Sequence, residues 1–312
     1  MIEVLHSGMY CSVQDKGRFG VAKQGIPQAG YVDSSAAALA NILLKNNEKD
    51  AVLEITFGQG TFKFKTATYI CITGANFSPK LNGQAIAVHQ VYYVAPDTVL
   101  SFGKRMYGAR TYVAVQGGIQ SEIVLGSRSF SFSITAQTLS KGALLAILPI
   151  QEEHTASFSK VRVSKTHFTT RYLPCFKGPE YAKLTKEQQV QLAKSFTISE
   201  DNNRVGYRLQ EPLENKLSPI LTAAVLPGTV QLTPSGKCIV LLQDCQVTGG
   251  YPRILQLSEI AMARISQKIA GDIIQLYWKT SYFFGNYKKI FNLLFTNCLG
   301  VIPSCFLNNL IK

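Results

Sequence analysis

The sequence predicts a mainly β protein with a few helices, built as a barrel or sandwich. Short runs rich in β-branched and aromatic residues recur between turn signals: TYICITG (68–74), VYYVAPDTVLSFG (91–103), RTYVAVQGG (110–118), GTVQLTPSGKCIVLLQD (228–244) and GDIIQLYW (271–278). Helical periodicity is confined to three places. Each half also carries an apolar strand that runs into a glycine pair, TYVAVQGGI and IVLLQDCQVTGGYP, a hint of two related barrels.

The helices follow from their caps. Asp33 precedes SSAAALANILLKN and can accept N–H bonds from the first turn, with Leu39, Ile42 and Leu43 expected to face inward. TKEQ, from Thr185, fits a capping box in which Gln188 reaches back to the cap, and the helix is expected to run on through QQVQLAKSF. Ser258 opens SEIAMARISQKI, whose Ile260, Ala263, Ile265 and Ile269 are expected on one face. The polar segment 151–160 interrupts the strand pattern, so a domain boundary is placed there, between residues 1–150 and 151–278.

Bulk properties exclude several classes. At 312 residues and 46% hydrophobic content the chain can build a large core. No basic region followed by an apolar run opens it, so the expected location is the cytoplasm. Its 7 cysteines are scattered without CxxC or Cys/His spacing, which predicts free, mostly buried thiols rather than disulfides or a zinc site. His6, His89, His154 and His167 are isolated from one another in sequence, and no HExxH occurs, so no metal site is expected. The net charge is +13, yet the basic residues are spread thinly, with no basic helix or RNA-binding aromatic signature; nucleic acid is not the expected partner. Four lysines (279, 288, 289 and 312) lie in an atypical apolar tail, 279–312, in which residues 290–311 carry no charge. Asn292, Asn297, Asn308, Asn309 and Pro303 suit a hydrocarbon helix poorly, so a docked amphipathic or appended segment is expected rather than a membrane anchor.

Two polar clusters carry the chemistry. The first, SVQDKGRFGVAKQGIPQAGYVDSS (12–35), interleaves Gln14, Asp15, Arg18, Gln24 and Asp33 with Gly17, Gly20, Gly25 and Gly30. Such irregular backbone before a capped helix offers N–H donors and the helix dipole to an anion. An Asp15–Arg18 surface ion pair and a purely capping Asp33 are the plainer readings. The second cluster, QDCQVTGGYPR (243–253), sets Gln243, Asp244, Thr248 and Tyr251 around Gly249 and Gly250. A tight turn would need the glycines and Pro252 but not so many polar groups. GxxxxGK[ST], GxSxG and biotin-attachment motifs are lacking, so the chemistry must rest on backbone donors, carboxylates, amides and arginines.

The ordered series VQDKGRFG, GIPQAGYVDSSAAALAN, LEITFG, RTYVAVQGGI, NNRVGYRL and LLQDCQVTGGYP resembles the family of the C subunits of prokaryotic 5-oxoprolinase, also described as the KipA, allophanate hydrolase subunit 2 or biotin-dependent carboxyltransferase family. The likeness covers residues 1 to about 277. It implies two cyclophilin-like β-barrel domains and heteromeric work with a KipI-like B component and a further A component, in which ATP opens the lactam of 5-oxoproline to glutamate. ATP would be handled largely by the partners.

On that footing Asp15, Arg18 and Asp244 are the expected catalytic residues. Arg18 and Arg110 would pair with a carboxylate or phosphate. The N–H groups of Gly117, Gly118, Gly249 and Gly250 would stabilise oxyanions, and Asp15 or Asp244 would orient water. Gln14, Gln24, Asp33, Gln243, Thr248 and Tyr251 complete the expected substrate contacts. The family also allows two other roles: carboxyl transfer from carboxybiotin to urea or a similar amide, with biotin on a separate carrier, and KipA-like neutralisation of a KipI-like partner. The chain departs from the family pattern in its tail, at SITAQTLSK (133–141) where a glycine-rich run is common, and at Glu211 and Pro212 after the retained Arg204 and Arg208.

Overall fold

The N-terminal strands form two sheets in a computed structural model that describes residues 1–132, 134–135, 139–150, 153, 161–215 and 217–278. One sheet has six strands in the order Leu144–Leu145, Ile2–His6, Thr61–Phe64, Val99–Ser101, Lys80–Leu81, Gln84–Ala85. The other has five, Tyr10–Gln14, Val52–Thr56, Tyr107–Val115, Thr68–Asn76, Val91–Val94. Alternation along each strand turns Ile2, Val4, Leu53, Ile55, Phe62, Ile70 and Val113 into one core between them. Each such fully buried aliphatic side chain contributes about 1.5–3 kcal/mol.

The opposite face of the five-stranded sheet is covered by the helix Ser34–Leu43, whose first turn is capped as expected by Asp33 accepting from Ala36 N at 3.0 Å. Its inward face is not the expected one. Ala36, Ala37, Ala40 and Asn41 are buried, whereas Ile42 is 58% exposed and Leu39 and Leu43 are only half-buried. Small side chains let the helix lie close enough for Thr73 Oγ1 to donate to the Ala36 carbonyl at 2.6 Å, and that approach leaves Ile42 outside while Leu43 still packs against the alanine cluster.

The C-terminal strands close into a seven-stranded barrel: Tyr172–Lys177, Arg253–Leu257, Thr229–Leu232, Cys238–Leu241, Gly206–Leu209, Ser195–Asn202 and Ile273–Trp278. Closure comes from the parallel pairing of Tyr172–Lys177 with Ile273–Trp278. Closure also leaves no open edge. The barrel is filled by residues such as Leu173, Phe196, Val230, Val240 and Ile254, and Val32 of the N-terminal loop belongs to the same core. The capping box at Thr185 and Gln188 is present on both sides, but the helix stops at Leu192 because the strand Ser195–Asn202 begins there. Ser258 caps Glu259–Ile265, as expected from the sequence. Of the expected face Ala263 and Ile265 are buried, together with Ala261 and Met262, whereas Ile260 is exposed. Cys11, Cys71, Cys175, Cys238 and Cys245 are free and buried.

The described residues through Trp278 form one compact unit. The expected boundary segment 151–160, except for Glu153, lies outside the described residues, as do 133 and 136–138 of SITAQTLSK and the whole 279–312 tail. No helix among the described residues is long and apolar enough to cross a membrane.

One irregularity ties the two sequence halves together. Pairing between Tyr107–Val115 and Thr68–Asn76 shifts register between Tyr107 and Thr111, where Gly74 and Gly108 adopt left-handed φ values of +78° and +74°. The opened backbone is filled by Gln267, from beyond the helix Glu259–Ile265. Its Oε1 accepts from Ala109 N at 2.9 Å and Arg110 N at 3.1 Å, and its Nε2 donates to the Arg110 carbonyl at 3.0 Å. A Cβ on Gly74 would come within 2.5 Å of the Arg110 carbonyl oxygen. Gly74→Ala is therefore expected to lower stability by about 2–4 kcal/mol, as backbone strain and clash add. A urea midpoint unchanged by the substitution would show that the bulge yields.

Candidate functional site

The first polar cluster folds into a loop anchored on Asp15. Asp15 Oδ1 accepts from Gly17 N at 2.8 Å, Ser127 Oγ at 2.5 Å and Ser129 Oγ at 2.6 Å, while Oδ2 accepts from Arg128 N at 2.6 Å. The carboxylate thus organises the loop and the 127–129 segment around itself. Arg18 does not form the expected surface ion pair. It is 2% exposed, donating from Nε to the Val124 carbonyl at 3.1 Å and from Nη2 to the Ser129 carbonyl at 2.5 Å. Its Nη1 is buried without a partner. Burial lowers the Arg18 pKa, opposed by the charges of Asp15 and Asp244.

Beside Arg18 in sequence, Asp15, Lys16, Gly17 and Phe19 line a cavity of about 430 Å³, together with Lys49 and Gly126. Lys16 and Lys49 are both exposed. A second opening, of about 520 Å³, runs along the Lys186–Leu192 helix and is lined by none of the expected catalytic or substrate-binding residues, though Glu211 borders it.

The turn 243–245 meets this loop from the barrel side. Ala29 N donates to the Gln243 carbonyl at 3.0 Å, and Gln243 Oε1 is buried without a partner. Asp244 is held by the guanidinium fork of Arg204, Nε to Oδ2 at 2.8 Å and Nη2 to Oδ1 at 2.9 Å. Arg204 Nη1 also donates to Glu54 Oε1, and Nη2 to the Gly30 carbonyl at 2.7 Å. Glu54 has no exposed surface; its Oε2 accepts from Val32 N at 3.0 Å and Tyr112 Oη at 2.8 Å. Burial alone would depress Arg204, but Asp244 and Glu54 together raise its pKa well above the ordinary value.

The remaining expected residues divide clearly. Gln14 is wholly buried, accepting from Gly30 N at 3.1 Å and donating to Ser12 Oγ at 2.9 Å, so it braces the loop. Gln24 is exposed in the short turn Ala22–Gln24. Asp33 offers nothing to a substrate, because the helix cap, His167 Nε2 at 3.0 Å and Gln267 Nε2 at 2.8 Å occupy its buried carboxylate. Arg110 is likewise not an anion clamp. It is 2% exposed and gives Nη1 to Tyr207 Oη at 2.8 Å and to the Ser266 carbonyl, with Glu54 3.7 Å from Nε. Gly117 and Gly118 do not form an oxyanion pair, since Gly117 N donates to Asn46 Oδ1 at 2.9 Å and Gly118 N to the Val115 carbonyl at 2.9 Å. Thr248 and Gly249 pair with Ala223–Ala224, and the Gly250 carbonyl accepts from Ile220 N at 2.9 Å. Thr248 and Tyr251 are exposed. Gly249 has no Cβ because one would lie 2.6 Å from the buried Gln231 Nε2.

The structure thus brings Asp15, Arg18, Gln243 and Asp244 to one seam and commits Asp33, Arg110, Gly117 and Gly118 to internal bonds. Sequence reasoning noted Arg204 without giving it a role and missed Glu54, Ser127, Ser129, Lys16 and Lys49. Glu54 did leave a signal: a lone carboxylate inside the otherwise apolar run AVLEITF requires a buried counter-charge.

A closed barrel joined to paired sheets through such a seam is a carboxyltransferase-type β fold. The profile of the carboxyltransferase domain, subdomain A and B, matches residues 24–278, and the chain belongs to that family. It is 34% identical over 280 residues to the C subunit of Escherichia coli 5-oxoprolinase, covering 88% of this chain and 90% of that one. It is 35% identical over 129 residues to the urea amidolyase of Saccharomyces cerevisiae, 41% of this chain and 7% of that one. Among solved structures, TTHA0988 superposes with a TM-score of 0.78 at 25% identity, over 88% of this chain and 55% of that one, so this chain spans little more than half its length. The urea carboxylase of Kluyveromyces lactis gives 0.78 at 27% identity, over 88% and 27% respectively.

Proposed function

We propose that this chain is one component of an ATP-dependent 5-oxoprolinase, working in the cytoplasm with B and A partners to open the lactam of 5-oxoproline to glutamate. One observation carries the reading: an unpartnered buried donor, Arg18 Nη1, and an unpartnered buried acceptor, Gln243 Oε1, belong to the two segments that meet at the seam. Buried polar atoms without partners are uncommon and call for an explanation. A cyclic amide carrying a carboxylate presents the complementary set, an N–H for Gln243 and a carbonyl or carboxylate oxygen for Arg18. The 34% identity to a 5-oxoprolinase C subunit supports the same substrate.

The chemistry fits this division of labour. A lactam resists attack because its amide resonance must be lost, and ATP-driven phosphorylation of its oxygen supplies the activation. The chain has no glycine-rich phosphate loop, in keeping with a division of labour in which the partners handle the nucleotide. The exposed Lys16 and Lys49, which line the cavity, draw the anion in. Arg18 then meets the charge that develops on oxygen. Both Asp244 oxygens are bound by Arg204, and Asp15 is an anchor, so the proton acceptor for water belongs on the partner side of the complex.

Full-length chain reconstituted with its B and A partners should release glutamate from 5-oxoproline in an ATP-dependent manner. Turnover unchanged by leaving this chain out would end the assignment. The likeness to urea carboxylase supports a second reading, carboxyl transfer to urea or a similar amide from biotin on a separate carrier. That reading predicts avidin-sensitive activity, whereas lactam opening is indifferent to avidin. A purely neutralising KipA-like role predicts tight binding of the B partner with no turnover at all.

A further inference from the structure

Among the described residues, Arg204 is the one side chain bonded to each of the pieces that meet at the seam. It rises from the turn before Gly206–Leu209 and reaches three separate segments: Glu54 in the strand Val52–Thr56, the carbonyl of Gly30, whose neighbours Gln28 and Tyr31 bond the Asp15–Arg18 stretch, and both oxygens of Asp244. Its bonds use Nε, Nη1 and Nη2. The planar fork fixes the three acceptors relative to one another, which a lysine at the same place cannot do. The loop and the turn are otherwise joined directly, among the described residues, by the single Ala29 N to Gln243 carbonyl bond.

We propose that Arg204 is a positioning residue, setting the alignment of the Asp15–Arg18 loop against the Gln243–Asp244 turn without itself touching substrate. This rests on the reading of the seam as the reacting site, but the positioning itself is measurable without turnover. Arg18 Nη1 and Gln243 Oε1 belong to different segments, so their separation depends on the clamp; a ligand bridging them is sensitive to displacements of about 1 Å.

The test is amide hydrogen exchange on the full chain carrying Arg204→Lys. The amides of Ala29 and Tyr31, which donate to Gln243 O and Asp15 O, should exchange about tenfold faster or more, because charge-assisted bonds to the loop are lost. The barrel strands Thr229–Leu232 and Cys238–Leu241 should be unchanged. Because the lysine variant can strand Asp244 as an unpaired charge, the double variant Arg204→Gln/Asp244→Asn repeats the measurement with the Arg204–Asp244 pair neutralised. In the reconstituted complex, Arg204→Lys should lower kcat about tenfold or more with a smaller change in KM. Exchange that rises equally in loop and barrel, or in neither, overturns the positioning role. A wild-type complex that does not turn over sinks the functional reading and leaves the exchange result standing.

Discussion

Replacing Glu54 with Gln should lower stability by about 3–5 kcal/mol, the range for breaking a buried ion pair by neutralising one partner. Glu54 accepts from Arg204, Val32 N and Tyr112 Oη and lies 3.7 Å from Arg110 Nε, with no exposed surface of its own. Glutamine keeps the shape but removes the charge, so two buried guanidiniums share the weaker field of a neutral amide. Asp244 still compensates Arg204. Arg110 is left with Tyr207 Oη and the Ser266 carbonyl alone. Urea unfolding at constant m is the measurement. A loss below about 1 kcal/mol would mean that the cluster is no stronger than a surface salt bridge.

Arg18→Ala should reduce glutamate release by the reconstituted complex about 10²–10³-fold, the scale of removing one donor from a developing oxyanion. Stability falls as well, because the Val124 and Ser129 carbonyls lose their partner, at about 1–3 kcal/mol for each group left unsatisfied. The two effects separate by temperature: well below the unfolding midpoint the variant is folded and the catalytic loss persists. Arg18→Lys restores charge without the fork and should recover little turnover. Activity that falls only in step with the folded fraction would reduce Arg18 to a brace for the 124–129 segment.

How far the sequence foretold this arrangement depended on the range of the interactions. Caps were legible because Asp33, Thr185 and Ser258 act within three residues, and the structure holds all three. Helix faces were not, since burial is decided by the surface the helix meets: the Ser34–Leu43 helix packs through alanines, and the stripe with Ile42 turns outward. The glycine-rich loop and QDCQVTGGYPR were both recognised as unusual, and the seam does join Arg18's loop to Gln243 and Asp244. For Arg110, residue type cannot show that Tyr207 and Ser266, about 100 and 156 positions away, already bond its guanidinium. The same holds for Gly117 and Gly118, whose amides are bonded to Asn46 and Val115. Partners at such sequence separations leave no local pattern to read.

The Gln267 side chain, seated in the opened backbone beside Gly74 and Gly108, has a consequence for birth order on the ribosome. Ala109 and Arg110 are synthesised more than 150 residues ahead of the amide that receives their N–H groups. Until the last turns of the barrel emerge, those two donors have only water to bond. The bulge in the early sheet therefore cannot complete its hydrogen bonds until a residue more than 150 positions downstream has been made.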